Sequence, residues 1–168
     1  MSIGIFYGSC GGTTKIIADA IAQAFDVEDV IDVEEDYDDM EQLLACDILF
    51  LGSSTWGQGD VQHGWVDILL EIQSNKVDFS GKKIAFFGAG DCKKHGEHFV
   101  SALGKMYNIF SSAGAQIVGY MPTDGYDFEA SLAVIDGKFC GLPIDEINEN
   151  NKTSERIEQF ISILKSEV

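Results

Sequence analysis

Short apolar runs alternate along the chain with stretches whose apolar residues recur every three or four positions. The apolar runs predict five strands, at residues 3–7, 30–33, 47–52, 84–87 and 116–120. Each run is too short for a typical helix, and the centres of the third and fourth runs are apolar throughout, as in strands covered on both faces. The pattern therefore predicts a fold whose central strands are buried.

Helical periodicity fills the intervals between these runs. The apolar face of the helix predicted after the first strand comprises Ile17, Ala20, Ile21 and Ala24. Further helices are predicted at 40–45, 61–72 and 99–112, and a C-terminal helix carries Ile157, Phe160, Ile161 and Leu164. Gly114 is the predicted C-terminal cap of the helix at 99–112, and Thr153 or Ser154 is the predicted N-terminal cap of the last helix.

Strands that alternate with helices predict an α/β fold with a doubly wound parallel sheet and helices on both faces, because parallel neighbours need crossover connections. The 168 residues, 45% of them hydrophobic, make one domain spanning residues 1–168. Ligands of such sheets bind beyond the carboxyl ends of the strands, where the strand order reverses. We therefore expect the functional groups in the loops after strands one, three and four.

The charge of the chain excludes polyanionic partners. Its 28 acidic and 11 basic residues leave a formal charge of −17, so nucleic acids and anionic membranes would be repelled. The acidic residues concentrate at 32–41 and recur at Asp60, Asp67 and Glu71. Two interpretations are open for them: a solvated face that keeps the protein soluble, or a surface that steers a basic partner.

We expect a cytoplasmic protein with reduced cysteines. The sequence contains no apolar run of twenty residues, and no charged leader precedes its first apolar run. Its four cysteines, at positions 10, 46, 92 and 140, form no CxxC pair and have no histidine at zinc spacing. Neither a disulfide framework nor a metal site is predicted.

The loop after the first strand has the composition of an anion-binding site. Residues 8–14, Gly-Ser-Cys-Gly-Gly-Thr-Thr, lead directly into a helix, so backbone N–H groups, the helix N-terminus and hydroxyls can surround a phosphate. A Walker loop would have lysine where Thr13 stands, and a cysteine phosphatase would need arginine in place of Ile16. Cys10 is therefore expected to offer its backbone N–H, although a purely steric turn is the alternative for the whole loop.

The loops after the third and fourth strands suit a flat heterocycle. The first of them carries Trp56, which is costly to expose unless a planar ligand covers it; packing under the loop is the alternative, and we assign that role to Trp65. The other begins Gly-Ala-Gly-Asp, so its backbone can approach a ring edge whose polar atoms Asp91 or a neighbouring amide would satisfy. His95 is either a second wall for the ring or a solvated side chain.

These three loops together resemble those of the flavodoxins, and the match runs from end to end. It rests on Phe6-Tyr7-Gly8 with Gly12 and Thr14, on Thr55-Trp56 with Gly59 and Asp60, on Gly88, Gly90-Asp91 and Phe99, and on residues 123–128, 137–139 and 141–142. The last three stretches are similar to the loop that interrupts the fifth strand in the long-chain group. The resemblance implies a flavodoxin-like sheet of order 2-1-3-4-5 and one flavin mononucleotide (FMN), bound without a covalent bond.

The resemblance also implies which residues bind FMN. They are Ser9, Cys10, Gly11, Gly12, Thr13 and Thr14 around the phosphate, then Ser54, Thr55, Trp56, Gly57, Gln58 and Gly59 at the inner face of the ring, and Ala89, Gly90, Asp91 and His95 at its pyrimidine edge and outer face. No catalytic residue and no metal ligand is implied. Two positions depart from the family, which usually has threonine at Gly11 and tyrosine at His95.

The function implied is a low-potential one-electron carrier, not an enzyme, that cycles mainly between the neutral semiquinone and the hydroquinone of FMN. Trp56, Asp91 and the net charge of −17 would raise the energy of the anionic hydroquinone, and the Gly57–Gln58 peptide is the candidate to turn its carbonyl toward the ring. The expected partners are basic-patch redox proteins, such as a flavodoxin reductase or low-potential oxidoreductases, which a monomer would dock transiently.

Two alternatives stay open at this point. One is an FMN-dependent NAD(P)H:quinone reductase on the same fold, which would need a substrate pocket over the flavin. The other is a non-redox phosphate-binding or receiver module. A receiver needs an acidic cluster at the strand ends, whereas the third strand here ends in Gly52-Ser53-Ser54.

Overall fold

A parallel sheet forms the centre of the protein in a computed structural model, which describes all residues from Met1 to Val168. Its strands, in chain order, are β1 (Ile3–Gly8), β2 (Val30–Asp32), β3 (Ile48–Ser53), β4 (Lys83–Ala89), β5 (Gln116–Ile117) and β6 (Gly141–Ile144). They lie in the order β2-β1-β3-β4, and both β5 and β6 pair in parallel with β4. The expected order 2-1-3-4-5 is confirmed, with β5 and β6 together as the fifth strand.

The fifth strand is interrupted by residues 118–140. The chain leaves the sheet near Gly119, which has a φ of +77° and where a Cβ would lie 2.9 Å from the Phe160 ring, so only glycine fits there. The interrupting segment forms a small antiparallel sheet from Met121–Pro122, Lys138–Phe139 and Val134–Ile135. The strand predicted at 116–120 therefore ends early, and the interruption implied by the resemblance is confirmed.

Five helices cover the sheet. They are α1 (Thr13–Phe25), α2 (Glu41–Leu44), α3 (Val66–Ser74), α4 (Ser101–Ser112) and α5 (Thr153–Glu167). Helix α1 packs beside α5 and α3 packs beside α4, so each face of the sheet carries a helical layer. As the spacing predicts, α1 buries Ile17 and Ile21 and α5 buries Phe160 and Leu164. None of the helices is long and apolar enough to cross a membrane.

Strands β3 and β4 supply the centre of the core, because both are covered on both faces. Leu49, Phe50, Phe86 and Phe87 are fully buried, as their unbroken apolar runs predict. Trp65 is fully buried too, and its indole N–H donates to the carbonyl oxygen of Gly52 at 2.8 Å, so no polar atom of the ring is left unpaired. The prediction that Trp65 belongs to the core is confirmed.

The predictions for the starts of α3 and α5 are wrong. The helix predicted at 61–72 begins only at Val66, because Asp60–Val61 pairs with Thr55–Trp56 in a hairpin and His63–Trp65 forms a 3₁₀ turn. The predicted cap of α5 is also wrong: a 3₁₀ turn at Asn150–Lys152 runs straight into the helix, so Thr153 already has helical backbone angles. Its hydroxyl is buried and caps nothing.

Helix α4 starts two residues later than predicted and ends where predicted. Val100, with a φ of +46°, cannot belong to the helix, so α4 begins at Ser101. At the other end Gly114 adopts a φ of +96°, and its N–H donates to the carbonyl oxygen of Ser111 at 3.1 Å. The predicted role of Gly114 at the end of this helix is confirmed.

Candidate functional site

The loops after β1, β3 and β4 emerge side by side at one edge of the sheet. In the β1–β3 register Gly8 lies opposite Ser53, and the N–H of Ser54 donates to the carbonyl oxygen of Gly8 at 3.2 Å. On the other side, a Cβ on Gly88 would lie 2.2 Å from the carbonyl oxygen of Ser53, so β4 can approach β3 this closely only with glycine there. Sequence reasoning predicted this juxtaposition, and the structure confirms it.

The first loop, which we call the phosphate loop (residues 8–14), presents a set of unpaired donors. The backbone N–H groups of residues 10–14 donate to no acceptor of the protein. Gly11 and Gly12 adopt φ values of +87° and +91°, and open space lies where their Cβ atoms would be. Gly12 caps α1 without a side-chain hydrogen bond, and the first turn of the helix carries no acidic residue. The loop is therefore built to receive an anion.

Two hydroxyls at this loop also lack partners. Thr14 is completely buried, and neither its Oγ1 nor the buried Oγ of Ser9 has a hydrogen-bond partner within the protein. A buried hydroxyl without a partner is costly, and a phosphate would satisfy both. These orphaned groups fit the phosphate of FMN. Gly11 has a φ of +87°, an angle that β-branched residues rarely adopt, so the family's usual threonine would be strained in this conformation of the loop.

The loop after β3 is a short hairpin that carries Trp56. Thr55–Trp56 pairs with Asp60–Val61, and a turn through Gly57 and Gly59, both with positive φ, joins them. Trp56 is 48% exposed, and its indole N–H donates to the Ser54 hydroxyl at 2.9 Å. A large flat side chain is thus held in a fixed orientation at the ligand edge of the sheet with one part open to solvent.

Thr55 and Gly59 anchor this hairpin to helix α4. The hydroxyl oxygen of Thr55 accepts from the N–H of Ala102 at 3.3 Å, near the start of the helix. A Cβ on Gly59 would lie 2.8 Å from the Cβ of Ser101. The structure therefore gives both residues a contact within the protein that fixes the position of Trp56.

The loop after β4 uses the side chain of Asp91 to close its own turn. The carboxylate accepts from the N–H groups of Lys93 and Lys94 at 3.1 and 2.9 Å and from the side-chain amide of Asn148 at 2.8 Å. Burial alone would raise the pKa of Asp91, but these hydrogen bonds outweigh burial and hold the pKa below its ordinary value. The backbone N–H of Asp91 donates to no protein acceptor, so it is the donor that the loop offers to a ring edge.

Asp145 and Asn148 support this loop from behind. The Asp145 carboxylate, fully buried, accepts from the N–H groups of Cys92 and Asn148, both at 2.9 Å, and from the N–H of Ile147 at 3.1 Å. The Asn148 side chain bridges Asp145 to Asp91. Sequence reasoning missed both residues, although an aspartate that accepts from the backbone N–H two residues on is typical of a turn.

The pKa values around Asp145 reflect this arrangement. Burial alone would raise the pKa of Asp145, but hydrogen bonds from the Cys92 thiol, the Asn148 amide and backbone N–H groups hold it below its ordinary value. Burial, followed by the contact with Asp145, raises the pKa of Cys92 to about 12. Cys92 is therefore a protonated structural thiol at neutral pH.

We expect Asp145→Asn to lower the free energy of unfolding at pH 7 by about 2 kcal/mol, because hydrogen bonds to a carboxylate are stronger than those to an amide. Because the pKa of Asp145 is depressed in the folded state, its ionised carboxylate stabilises the wild type fully above the unfolded-state pKa of about 3.9. This stabilisation is lost as the pH falls through the folded-state pKa. Urea unfolding at pH 7 and at pH 3 checks this. The difference between the two proteins should shrink at the lower pH, and a constant difference would contradict the assignment.

His95 follows the same loop. It is partly exposed, its N–H donates to the carbonyl oxygen of Asp91 at 3.0 Å, and its imidazole makes no hydrogen bond within the protein. The next residue, Gly96, accepts from the N–H groups of Glu129 and Ala130, both at 2.9 Å. The segment that interrupts the fifth strand therefore holds the backbone that carries His95.

A cavity of the protein lies away from these loops. It has a volume of about 660 Å³ and lies between the C-terminal ends of α3 and α4, with Lys76, Asp78 and Asn108 in its lining. The C-terminal ends of these helices lie near the amino ends of the strands. The cavity is therefore at the edge of the sheet opposite the three loops. The three loops form an open rim, where a ligand would keep one side exposed.

An anion-binding loop and an exposed tryptophan at the switch point of a doubly wound sheet define a protein of the nucleotide-binding α/β class. A sequence model of the Flavodoxin family matches residues 5–160. Flavodoxin 1 of Azotobacter vinelandii is 53% identical over 98% of this chain and 96% of its own length, and the flavodoxin of Synechococcus elongatus is 43% identical over 98% and 96%. The chain belongs to the flavodoxin family.

Solved structures agree with this assignment. The crystal structure of Fusobacterium nucleatum flavodoxin bound to flavin mononucleotide matches with a TM-score of 0.89 at 31% identity, over 99% of both chains. Oxidised flavodoxin 2 of Bacillus cereus matches with a TM-score of 0.70 at 26% identity. The length and the interrupted fifth strand place this chain with the long-chain flavodoxins.

Proposed function

We propose that this protein is a low-potential one-electron carrier that binds one FMN without a covalent bond. The observation that carries the proposal is the phosphate loop, whose N–H groups at residues 10–14 and whose Ser9 and Thr14 hydroxyls have no partner within the protein. A set of free donors at the N-terminus of a helix suits an anion. Membership of the flavodoxin family, and the FMN named for the Fusobacterium nucleatum protein, support the choice of this anion.

The proposed contacts distribute the cofactor over the three loops. Residues 9–14 hold the phosphate, residues 54–59 lie along the ring with Trp56 against its inner face, and residues 89–91 line the pyrimidine edge through the N–H of Asp91. His95 forms the outer wall. Bound FMN supplies the one-electron chemistry, and the protein sets which oxidation states are favoured.

Charge sets the potential in this proposal. The net charge of −17 and the carboxylate of Asp91, which its hydrogen bonds keep ionised, disfavour an additional negative charge on the ring. The fully reduced state is therefore costly, and the carrier works mainly between its one-electron- and two-electron-reduced forms. Gly57, already at a φ of +50°, lets the Gly57–Gln58 peptide reorient without steric cost.

A visible spectrum of the purified protein, followed by stepwise reduction with dithionite, tests the proposal. We expect flavin absorption, and a long-wavelength band of a neutral flavin radical that rises and then falls as reductant is added. A colourless protein whose apo form does not take up added FMN would refute it. Steady NAD(P)H oxidation with a quinone and no added reductase would instead favour the quinone reductase, which the names of the matching proteins do not support.

We propose that the acidic surface docks basic redox partners such as a flavodoxin reductase, and that the carrier is a cytoplasmic monomer. Asp67 and Glu71 are exposed on α3, close in sequence to the Trp56 hairpin. Replacing them in Asp67→Asn/Glu71→Gln should slow association with a basic reductase about tenfold at low salt, because steering charges act mainly on the association rate.

Stopped-flow kinetics at two ionic strengths measure the effect of this change. The matched control is Glu155→Gln/Glu158→Gln, which removes the same charge from exposed positions on α5, in the other helical layer. Equal slowing by both double variants would show that net charge matters and that the α3 surface does not.

A further inference from the structure

A buried glutamine lies beneath the phosphate loop. Gln62 is fully buried, and it lies between the end of the Trp56 hairpin and the 3₁₀ turn that precedes α3. Polar side chains of this kind are seldom buried unless every polar atom finds a partner. No motif in the sequence pointed to this residue.

The hydrogen bonds of Gln62 fix the orientation of its side-chain amide. Its Oε1 accepts from the N–H of Gly64 at 2.7 Å, and its Nε2 donates to the Glu34 carboxylate at 2.8 Å. The N–H of Gly64 can only donate and the carboxylate can only accept, so the amide has one possible orientation. The Nε2 group consequently faces the phosphate loop, 3.9 Å from the Sγ of Cys10.

The side chain also packs directly on the start of the loop. A Cβ on Gly8 would lie 2.5 Å from Gln62 Oε1 and 3.0 Å from Gln62 Cβ. Gly8 is the last residue of β1, and the unpaired N–H groups follow from Cys10 onward. Gln62 therefore contacts the loop at two points, Gly8 and Cys10, on the side away from solvent.

The hairpin that carries Trp56 depends on a different part of Gln62. Its backbone N–H donates to the Ser53 hydroxyl at 2.9 Å, and this hydroxyl in turn donates to the Ser54 carbonyl oxygen at 2.8 Å. A side-chain substitution leaves this bond in place. The side chain thus acts on the phosphate loop, whereas the backbone acts on the ring-binding hairpin.

We infer that Gln62 is a positioning residue that holds the phosphate loop in its anion-binding conformation through the contacts of its side-chain amide with Glu34, Gly8 and Cys10. The inference rests on the proposed binding of FMN and adds a residue to it. Loss of the amide lets the loop relax, so that its N–H groups no longer converge on the phosphate. The flavin ring, held by the hairpin, is not affected.

The test compares FMN with riboflavin, which has the ring but no phosphate. The variant is Gln62→Met, which keeps the volume of the side chain and removes its polar atoms. In its apoprotein we expect the Kd of FMN to rise about tenfold, because the loss of one hydrogen bond to a charged group costs about this much. The Kd of riboflavin should stay within about twofold. Inorganic phosphate should raise the Tm of the wild-type apoprotein and raise that of the variant less.

Two further variants make the test decisive. Glu34→Ala, at an exposed position, removes the acceptor that orients the Gln62 amide, so it should give the same split if the methionine variant does not fold. His63→Gln, an exposed neighbour that contacts Glu34 from the other side, is the matched control and should change neither Kd.

The outcomes separate the inference from the proposed function. Failure of the wild-type apoprotein to bind FMN overturns the proposed function. In that case the difference between the Tm shifts that inorganic phosphate causes in the wild type and in the variant still tests the role of Gln62. Wild-type binding with an equal rise in both Kd values, or with no rise in either, overturns the inference, because a merely structural residue would not distinguish the two flavins. A rise for FMN alone supports it.

Discussion

The variant Gly11→Asp should bind FMN about a hundredfold more weakly than Gly11→Asn. Gly11 is exposed, and a side chain there would enter open space beside the phosphate loop. Two unit charges 4 Å apart at an effective dielectric of 20 repel by about 4 kcal/mol, roughly a thousandfold in Kd. Solvent and salt screening at an exposed position reduces this to about a hundredfold.

The comparison isolates charge because asparagine and aspartate have the same shape and both tolerate positive φ better than other residues with side chains. Fluorescence titration of the two apoproteins with FMN gives the ratio of Kd values. Titration with riboflavin is the control and should give equal values for both variants. A ratio near one with FMN would mean that the phosphate is bound elsewhere.

His95 should make the second one-electron potential depend on pH. An imidazole beside a ring that gains negative charge is expected to take up a proton, and histidine is the side chain that titrates in the physiological range. Where a proton accompanies the electron, the potential falls by about 59 mV for each pH unit. Between pH 5 and 8 the potential of the wild type should therefore fall more steeply than that of His95→Tyr.

Potentiometric titration at several pH values measures both slopes. His98→Tyr is the matched control, since His98 is also partly exposed on the same segment, and it should keep the slope of the wild type. Coincident slopes for the wild type and His95→Tyr would show that His95 is not linked to the redox step.

The sheet and the three loops were predictable because their signals are local. The apolar runs that became β3 and β4 could be buried only as central strands, and the glycine-rich segment 8–14 leads into a helix directly after a strand. Trp56 and Trp65 were distinguished by their surroundings in the sequence, and the structure exposes the first and buries the second. Periodicity and loop composition thus sufficed for the architecture of the rim.

The errors arose where distant residues decide the local structure. Val61 has helical periodicity with the residues after it, yet it pairs with Thr55. One partner of the Asp91 carboxylate, Asn148, lies 57 positions further on, so no local pattern showed this contact. Gln62 likewise owes its role to Glu34 and Gly8, which lie on other elements.

The interrupted fifth strand has a consequence for how the protein behaves at high concentration. It leaves one edge of the sheet with two short strands, β5 of two residues and β6 of four. The strand at the other edge, β2, has three residues. Pro143, within β6, lacks an N–H to offer to another chain. Edges this short give an incoming strand little to pair with, so the protein resists edge-to-edge aggregation through its backbone as well as through its charge.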